Sequence, residues 1–290
     1  MAAAATTATT LTECIPTIIS TALLELQEGN IMQPLVTDID FPGPGLVSQT
    51  PKIAKLTAET DDSLEYQSMD SGGYTSEASP SAATCAVHGA YISLKDIAAL
   101  GSVGDMAVLA GQLIGNCLVV RKDLDLVTLF TTLSTNQGAL TGTPQIAPAD
   151  LYDAYGALRT YFAKPPYYLV LAPLQIWASK GLISLFDNSS DAIQSEGLGT
   201  VGEDFARYGF SGMALGFNLF ADANIALDGS YNGSGAAFSK EAFKNVTKRS
   251  FQIEIERDAI EVADKIVGSE IRGEAILRNL HGNRMQFSYA

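Results

Sequence analysis

Residues 84–118 read TCAVHGAYISLKDIAALGSVGDMAVLAGQLIGNCL. The run opens on a short apolar strand, 84–92, and Ser93-Leu94-Lys95-Asp96 reads as the start of a short helix. A long helix follows, with Ser102 or Asp105 suited to its N-cap. Val103, Met106, Ala110, Leu113, Ile114, Cys117 and Leu118 mark the face it buries. Each of Gly104, Gly111 and Gly115 costs a helix interior about 1 kcal/mol, so their presence predicts close approach of another backbone. Cys117 reads as a small buried hydrophobe. Asp123–Leu133 extends the same helix.

Toward the C-terminus, the spacing predicts a helix over 149–163, ended by Lys164-Pro165-Pro166, then a buried strand, YYLVLA, at 167–172. A helix over 174–185 carries Trp177 on its apolar side, and a polar, Gly-rich loop occupies 187–204. Strands are expected at 217–220 and 224–227, a turn at 228–235 and a short helix at 236–243. FQIEIER at 251–257 alternates apolar and charged residues, the pattern of a strand buried on one face. Ile260, Ala263, Ile266 and Val267 give a further short helix, and 274–287 a final strand.

Toward the N-terminus, 46–83 reads as a long polar hairpin with little core of its own, an element unstable in isolation. PGPG at 42–45 breaks the chain ahead of it. Further upstream, Ile15, Ile18, Ile19, Ala22, Leu23 and Leu26 recur at helical spacing. That amphipathic helix precedes anything resembling a core, so it must pack back on the body or on a neighbour. Residues 1–10 are low-complexity Ala/Thr. The whole reads as α+β, without regular βαβ alternation.

The 290 residues suffice for a sizeable core and carry a net charge of −14 with only 17% charged residues. Residues 1–80 hold eleven acids and two bases, Lys52 and Lys55. The acidic balance argues against a dedicated nucleic-acid binder, which shows a basic patch, and suggests an acidic arm that is either solvated or docked on a basic neighbour. Cys14, Cys85 and Cys117 share no metal-ligand spacing and imply a reducing compartment. MAAAATTATT lacks the basic region of a signal peptide, and the apolar run 106–120 is too short to span a bilayer. A soluble chain is expected.

Chemistry-bearing motifs are sparse. GLGTVG at 197–202 matches a dinucleotide fingerprint, but the polar residues before it supply no strand, so it reads as a loop. His88 and His281 have no patterned partners and read as structural. Neither G-x-S-x-G nor a Walker-type loop occurs. Asp61-Asp62 and Glu254/Glu256 read as solvated or interface carboxylates, and Tyr152, Tyr155, Tyr161 and Trp177 as core or interface. No catalytic, cofactor-binding or metal-ligating residue is assigned.

Four segments in order, 84–118, PPYYLVLAPLQIWASK (165–180), GAAFSKEAF (235–243) and SFQIEIERDAIEVADKIVGSEIRGEAILRN (250–279), resemble the major capsid proteins of tailed phages, the HK-ninety-seven-type fold, nearest its podophage-like coat proteins. The resemblance implies an N-terminal arm (1–44), an extended E-loop (45–83), a P-domain with a long spine helix (84–148 and 236–270) and an A-domain (149–235 and 271–290). It implies a non-enzymatic subunit that self-assembles as pentamers and hexamers into an icosahedral shell, put together in the host cytoplasm and found in the virion. Scaffolding, portal and decoration proteins are the implied partners. The shell would enclose double-stranded DNA without sequence-specific binding and without a membrane. Interface candidates are Ile15, Ile18, Ile19, Leu23 and Leu26 in the arm and Lys52, Lys55, Asp61 and Asp62 in the E-loop; no Lys–Asn crosslink is expected. An encapsulin-like nanocompartment shell shares this fold and is the first alternative. A soluble α+β enzyme is the second.

Overall fold

Apolar runs too long for one amphipathic face mark strands buried on both sides, and Tyr167–Leu171 is such a strand. Its Leu169 and Leu171 enter one core, with Leu151, Leu158, Phe217 and Met285, while Val170 enters another, with Phe130, Phe238 and Phe243. The period-2 alternation of a strand places successive side chains on opposite faces, so this segment separates two cores.

The computed structural model describes residues 31–51, 80–96, 106–138, 146–178, 181–182, 213–228 and 232–288. In chain order these form β1 (Thr37–Asp40), β2 (Val47–Thr50), β3 (Ser81–Thr84), β4 (Ala86–Lys95), α1 (Met106–Thr128), β5 (Thr135–Gly138), α2 (Pro148–Thr160), β6 (Tyr167–Leu171), α3 (Pro173–Trp177), β7 (Met213–Ala214), β8 (Phe217–Ala221), β9 (Asn232–Ser239), β10 (Phe243–Asp258), β11 (Ala263–Ile276) and β12 (Gly282–Ser288). A four-stranded sheet runs β1-β10-β11-β4, and a six-stranded sheet runs β5-β12-β9-β6-β8-β7. β2 and β3 pair only with each other, as an antiparallel ribbon.

α1 serves both sheets. Its first half places Ala110, Ile114 and Leu118 on Ile266 of β11, backed by Ile92, Phe251, Ile253 and Ile255. Its end places Leu126, Val127 and the following Phe130 against Val170, Ala236 and Phe238 of the six-stranded sheet. Gly111 and Gly115 lie on the buried side of the helix, as their cost in a helix interior requires. The close approach is also read from the strand: a Cβ on Gly268 of β11 would sit 2.5 Å from Ile114 Cγ2. α2 covers the far face of the six-stranded sheet with Leu151, Ala154 and Leu158.

The long helix, the 149–163 helix, the 167–172 strand, the 217–220 strand and the one-face-buried 251–257 strand all form, with Glu254 and Glu256 exposed. Other expectations are corrected. Residues 93–95 continue β4, because β11 pairs with it as far as Lys95. Residues 236–239 are strand, not helix, and a short 3-10 turn, Lys240–Ala242, joins them to β10. β9 lies between β12 and β6, where small Ala residues fit a strand covered on both faces, and that setting overrides their helical preference. Residues 260–267 are a hairpin turn and the start of β11 rather than a helix; Ile260, on the tip, is 94% exposed. The expected strand at 224–227 is a turn closed by Asp222, which accepts from the Asn224 amide, plus one bridge from Leu227 to Gly233. The helix begun at 173 runs only to Trp177, which is half-exposed rather than core. Cys117 is exposed and Cys85 buried, the reverse of the expectation for Cys117. The arm helix, most of the 46–83 hairpin and GLGTVG lie outside the described residues.

Gly268→Val puts a branched side chain into Ile114 and the Phe251 ring. It should lower stability by about 1–3 kcal/mol, the range for overpacking, read as a lower urea midpoint at unchanged slope.

Candidate functional site: a buried ion cluster and the roots of two extensions

β11 carries Glu270, Arg272 and Glu274 at alternate positions, so all three side chains share the face turned toward α1. Arg272 is 1% exposed and the largest fully buried side chain in the described residues. Its guanidinium donates to Glu270 Oε1 at 2.6 Å and to Asp125 Oδ2 of α1 at 3.0 Å, and it also pairs with Glu274. Arg121 reaches Asp125 at 3.0 Å, and Lys122 reaches Glu270 at 3.9 Å. Three cations thus face three carboxylates across the helix–sheet contact. His88 of β4 stands 3.7 Å from Asp125, with its pKa lowered by burial and then by the charge of Arg272. It is therefore neutral near pH 7.

His88, Asp125 and Glu274 offer ligand atoms within 4.8 Å of one another, a grouping that no sequence spacing announced. Arg272 contacts both of those carboxylates. A divalent cation would meet a fixed guanidinium charge in the same space. The cluster is a neutralised ion network that ties α1 to the sheet, and it has the chemistry of a structural clamp. His281, 5% exposed and 3.6 Å from Glu241, is likewise structural.

Beside the clamp, α1 receives the chain arriving from the N-terminus. Asp123 accepts hydrogen bonds from the amides of Ile31 and Met32, and Lys122 donates to Gln33 Oε1. Met32, Leu35 and Val36 then bury against Leu126, Val127 and Phe130. Asp123 is a carboxylate almost out of water. Burial pushes its pKa up to about 6, helped by the nearby charge of Asp222 and opposed by the two amides and Lys122. Burial also raises the pKa of Asp222.

The ribbon is rooted in the same way on β10. The Lys244 ammonium, fully buried, donates to Ser81 O at 2.7 Å, Thr50 Oγ1 at 2.9 Å and Ser48 O at 3.4 Å. Lys248 donates to Gly43 O at 2.8 Å and to Gly45 O, and lies 5.1 Å from the centroid of the Phe41 ring. The PGPG break thus passes over a lysine that satisfies its carbonyls. None of the interface candidates (Ile15, Ile18, Ile19, Leu23, Leu26, Lys52, Lys55, Asp61, Asp62) falls within the described residues. The structure brings together instead the two roots from which those segments extend.

Two outcomes follow from these contacts. Arg272→Ala removes the central partner of buried Glu270 and of the partly buried Asp125 and Glu274, and should destabilise the fold by about 3–5 kcal/mol, measured by chemical denaturation at pH 7. Asp123 has a folded pKa above its unfolded value of 3.8. Its contribution is therefore most favourable below about pH 4, falls as pH rises to about 6, and is constant above that, a change of about 3 kcal/mol. Urea titrations of the wild type and of Asp123→Asn across pH 4–7 should differ by that slope, with the wild type losing stability relative to the variant as pH rises.

No protein-family model matches the sequence, and no curated protein matches it. Solved structures do. The chain is similar to the capsid of cyanophage P-SCSP1u at TM-score 0.64 and 15% identity, covering 90% of this chain and 89% of that one. It is similar to the asymmetric unit of the bacteriophage PhiM1 mature capsid at TM-score 0.61 and 9% identity, covering 89% and 87%. It is also similar to the holo-SrpI encapsulin complex from Synechococcus elongatus at TM-score 0.58 and 12% identity, covering 95% and 90%. With its mixed α+β architecture and long helix shared by two sheets, the chain has the fold of tailed-phage major capsid proteins.

Proposed function

We propose that the chain is a non-enzymatic structural subunit, a tailed-phage major capsid protein, that assembles as pentamers and hexamers into an icosahedral shell around a double-stranded DNA genome. The observation that carries the reading is the fold likeness to phage capsids over about nine-tenths of both chains. The buried anchors that hold the chain at Met32 and the ribbon base onto the body, Asp123 and Lys244, agree with it. In this reading 1–44 is the arm, 45–83 the E-loop, 84–148 with 236–270 the P-domain, and 149–235 with 271–290 the A-domain. The net charge of −14 suits a container that must not adhere to the DNA inside it. Scaffolding, portal and decoration proteins are the partners such a shell takes, the host cytoplasm is its place of assembly, and the virion its destination.

An encapsulin-like compartment is the second reading, favoured by the likeness to the Synechococcus elongatus encapsulin and to a virus-like particle from Pyrococcus furiosus. The chain should be expressed alone and with a candidate scaffolding protein, then sized by gel filtration and negative-stain microscopy. Closed shells tens of nanometres across, or isolated pentamers and hexamers, are expected. Shells that form unaided around a co-expressed protein cargo would shift the reading to a compartment. A monomer under every condition would overturn both.

A further inference from the structure

α2 turns a second face to solvent. Leu151, Ala154 and Leu158 bury against the six-stranded sheet, while Tyr152, Asp153, Tyr155, Gly156, Arg159 and Thr160 are exposed. The sheet fixes how this face is presented: the Tyr155 ring stands edge-on to Tyr167 at 5.4 Å and to Phe217 at 5.9 Å. Beyond the helix end, Tyr161 and Phe162 add rings that are 43% and 72% exposed. Tyrosine, phenylalanine and an arginine, with few other charges, is the composition found at the centre of protein–protein contacts.

Among the described residues nothing calls for Gly156. A glycine inside a helix is costly, and a Cβ built there would meet nothing within 4 Å, whereas one on Gly268 would meet Ile114. Charge supplies a second observation. Asp153 and Arg159 stand three residues before and three after Gly156, with opposite sign. Neither forms an ion pair with any described residue; Arg159 lies against the Tyr167 hydroxyl. The face is therefore complementary to itself. In two copies of α2 laid antiparallel with their Gly156 residues facing, Asp153 of each comes level with Arg159 of the other, within reach of an arginine side chain.

We propose that this face of α2 pairs with the same face of a second copy, antiparallel across a two-fold axis at Gly156 and closed by two Asp153–Arg159 ion pairs. The contact is isologous, joining a patch to its own copy. α2 is about 20 Å long, which puts the contact at the small end of specific interfaces, weak and reversible. The inference goes beyond the shell reading and does not depend on it, since a two-fold pair of subunits can exist with or without rings and shells.

Disulfide trapping reads the axis directly. In a Cys14→Ser/Cys117→Ser background, which leaves the buried Cys85, Gly156→Cys puts a thiol on the two-fold axis and Thr160→Cys puts one a helical turn away from it. With oxidised glutathione as the oxidant, Gly156→Cys should give disulfide-linked dimer on a non-reducing gel about tenfold faster than Thr160→Cys, whether or not the subunits also form shells. Adding Asp153→Arg or Arg159→Asp to Gly156→Cys should slow the trapping about fivefold, and adding both should bring it back to within about twofold. Melting curves check folding, and Gly156→Cys should melt no lower than the background chain, because the position is open and glycine is the poorer helix former. Equal trapping at the two positions, or a rate blind to the single charge reversals, overturns the proposal and leaves the shell reading standing. A double reversal that fails to recover overturns it as well.

Discussion

Two sheets of different strand order share one long helix, and the point where the helix passes from one to the other is held by a buried guanidinium. Arg272 draws Asp125 of α1 onto Glu270 and Glu274 of β11. Upstream of that point the helix packs on Ile266, and downstream on Phe238 and Val170. Apolar contact alone does not specify the angle or register of a helix on a sheet. A fork of donors meeting carboxylates on both elements does, because leaving any of them unpaired in a dry contact is costly. Both roots depend on this register. Asp123 receives the N-terminal chain two residues before Asp125, and Lys244 holds the ribbon on the strand paired with β11.

Periodicity made α1, α2, β6 and the 251–257 strand legible, since each has a run long or regular enough to favour one period. It failed where one segment satisfied two periods. Ile260, Ala263, Ile266 and Val267 fit a helix, yet Ala263 and Ile266 pair into β11, Ile266 is buried beneath α1, and Ile260 ends on a hairpin tip. Ala236 and Ala237 favour a helix locally, yet they lie mid-sheet, paired with β12 on one side and β6 on the other and buried on both faces. Trp177 and Cys117 were misplaced because composition tells how often a residue type is buried and not which side of its helix faces out.

The ion clamp was the least legible feature. His88, Asp125 and Arg272 are far apart in sequence, and no spacing links them. One signal was present, the Glu-x-Arg-x-Glu alternation at 270–274 inside an otherwise apolar strand, which puts three charges on one face that must find partners. The roots had no signal at all: a lysine destined to hold three oxygens far away in sequence looks like any other lysine.

Lys244 touches both legs of the ribbon, β2 through Ser48 and Thr50 and β3 through Ser81. Mechanically this is a clevis pin. A pull on the chain between the legs cannot splay them apart until it dislodges one ammonium, and that ammonium has no water to retreat into. Load arriving on either leg is therefore carried into β10 through the same ammonium. The ribbon and the sheet it stands on therefore meet at one shared point and not along an edge.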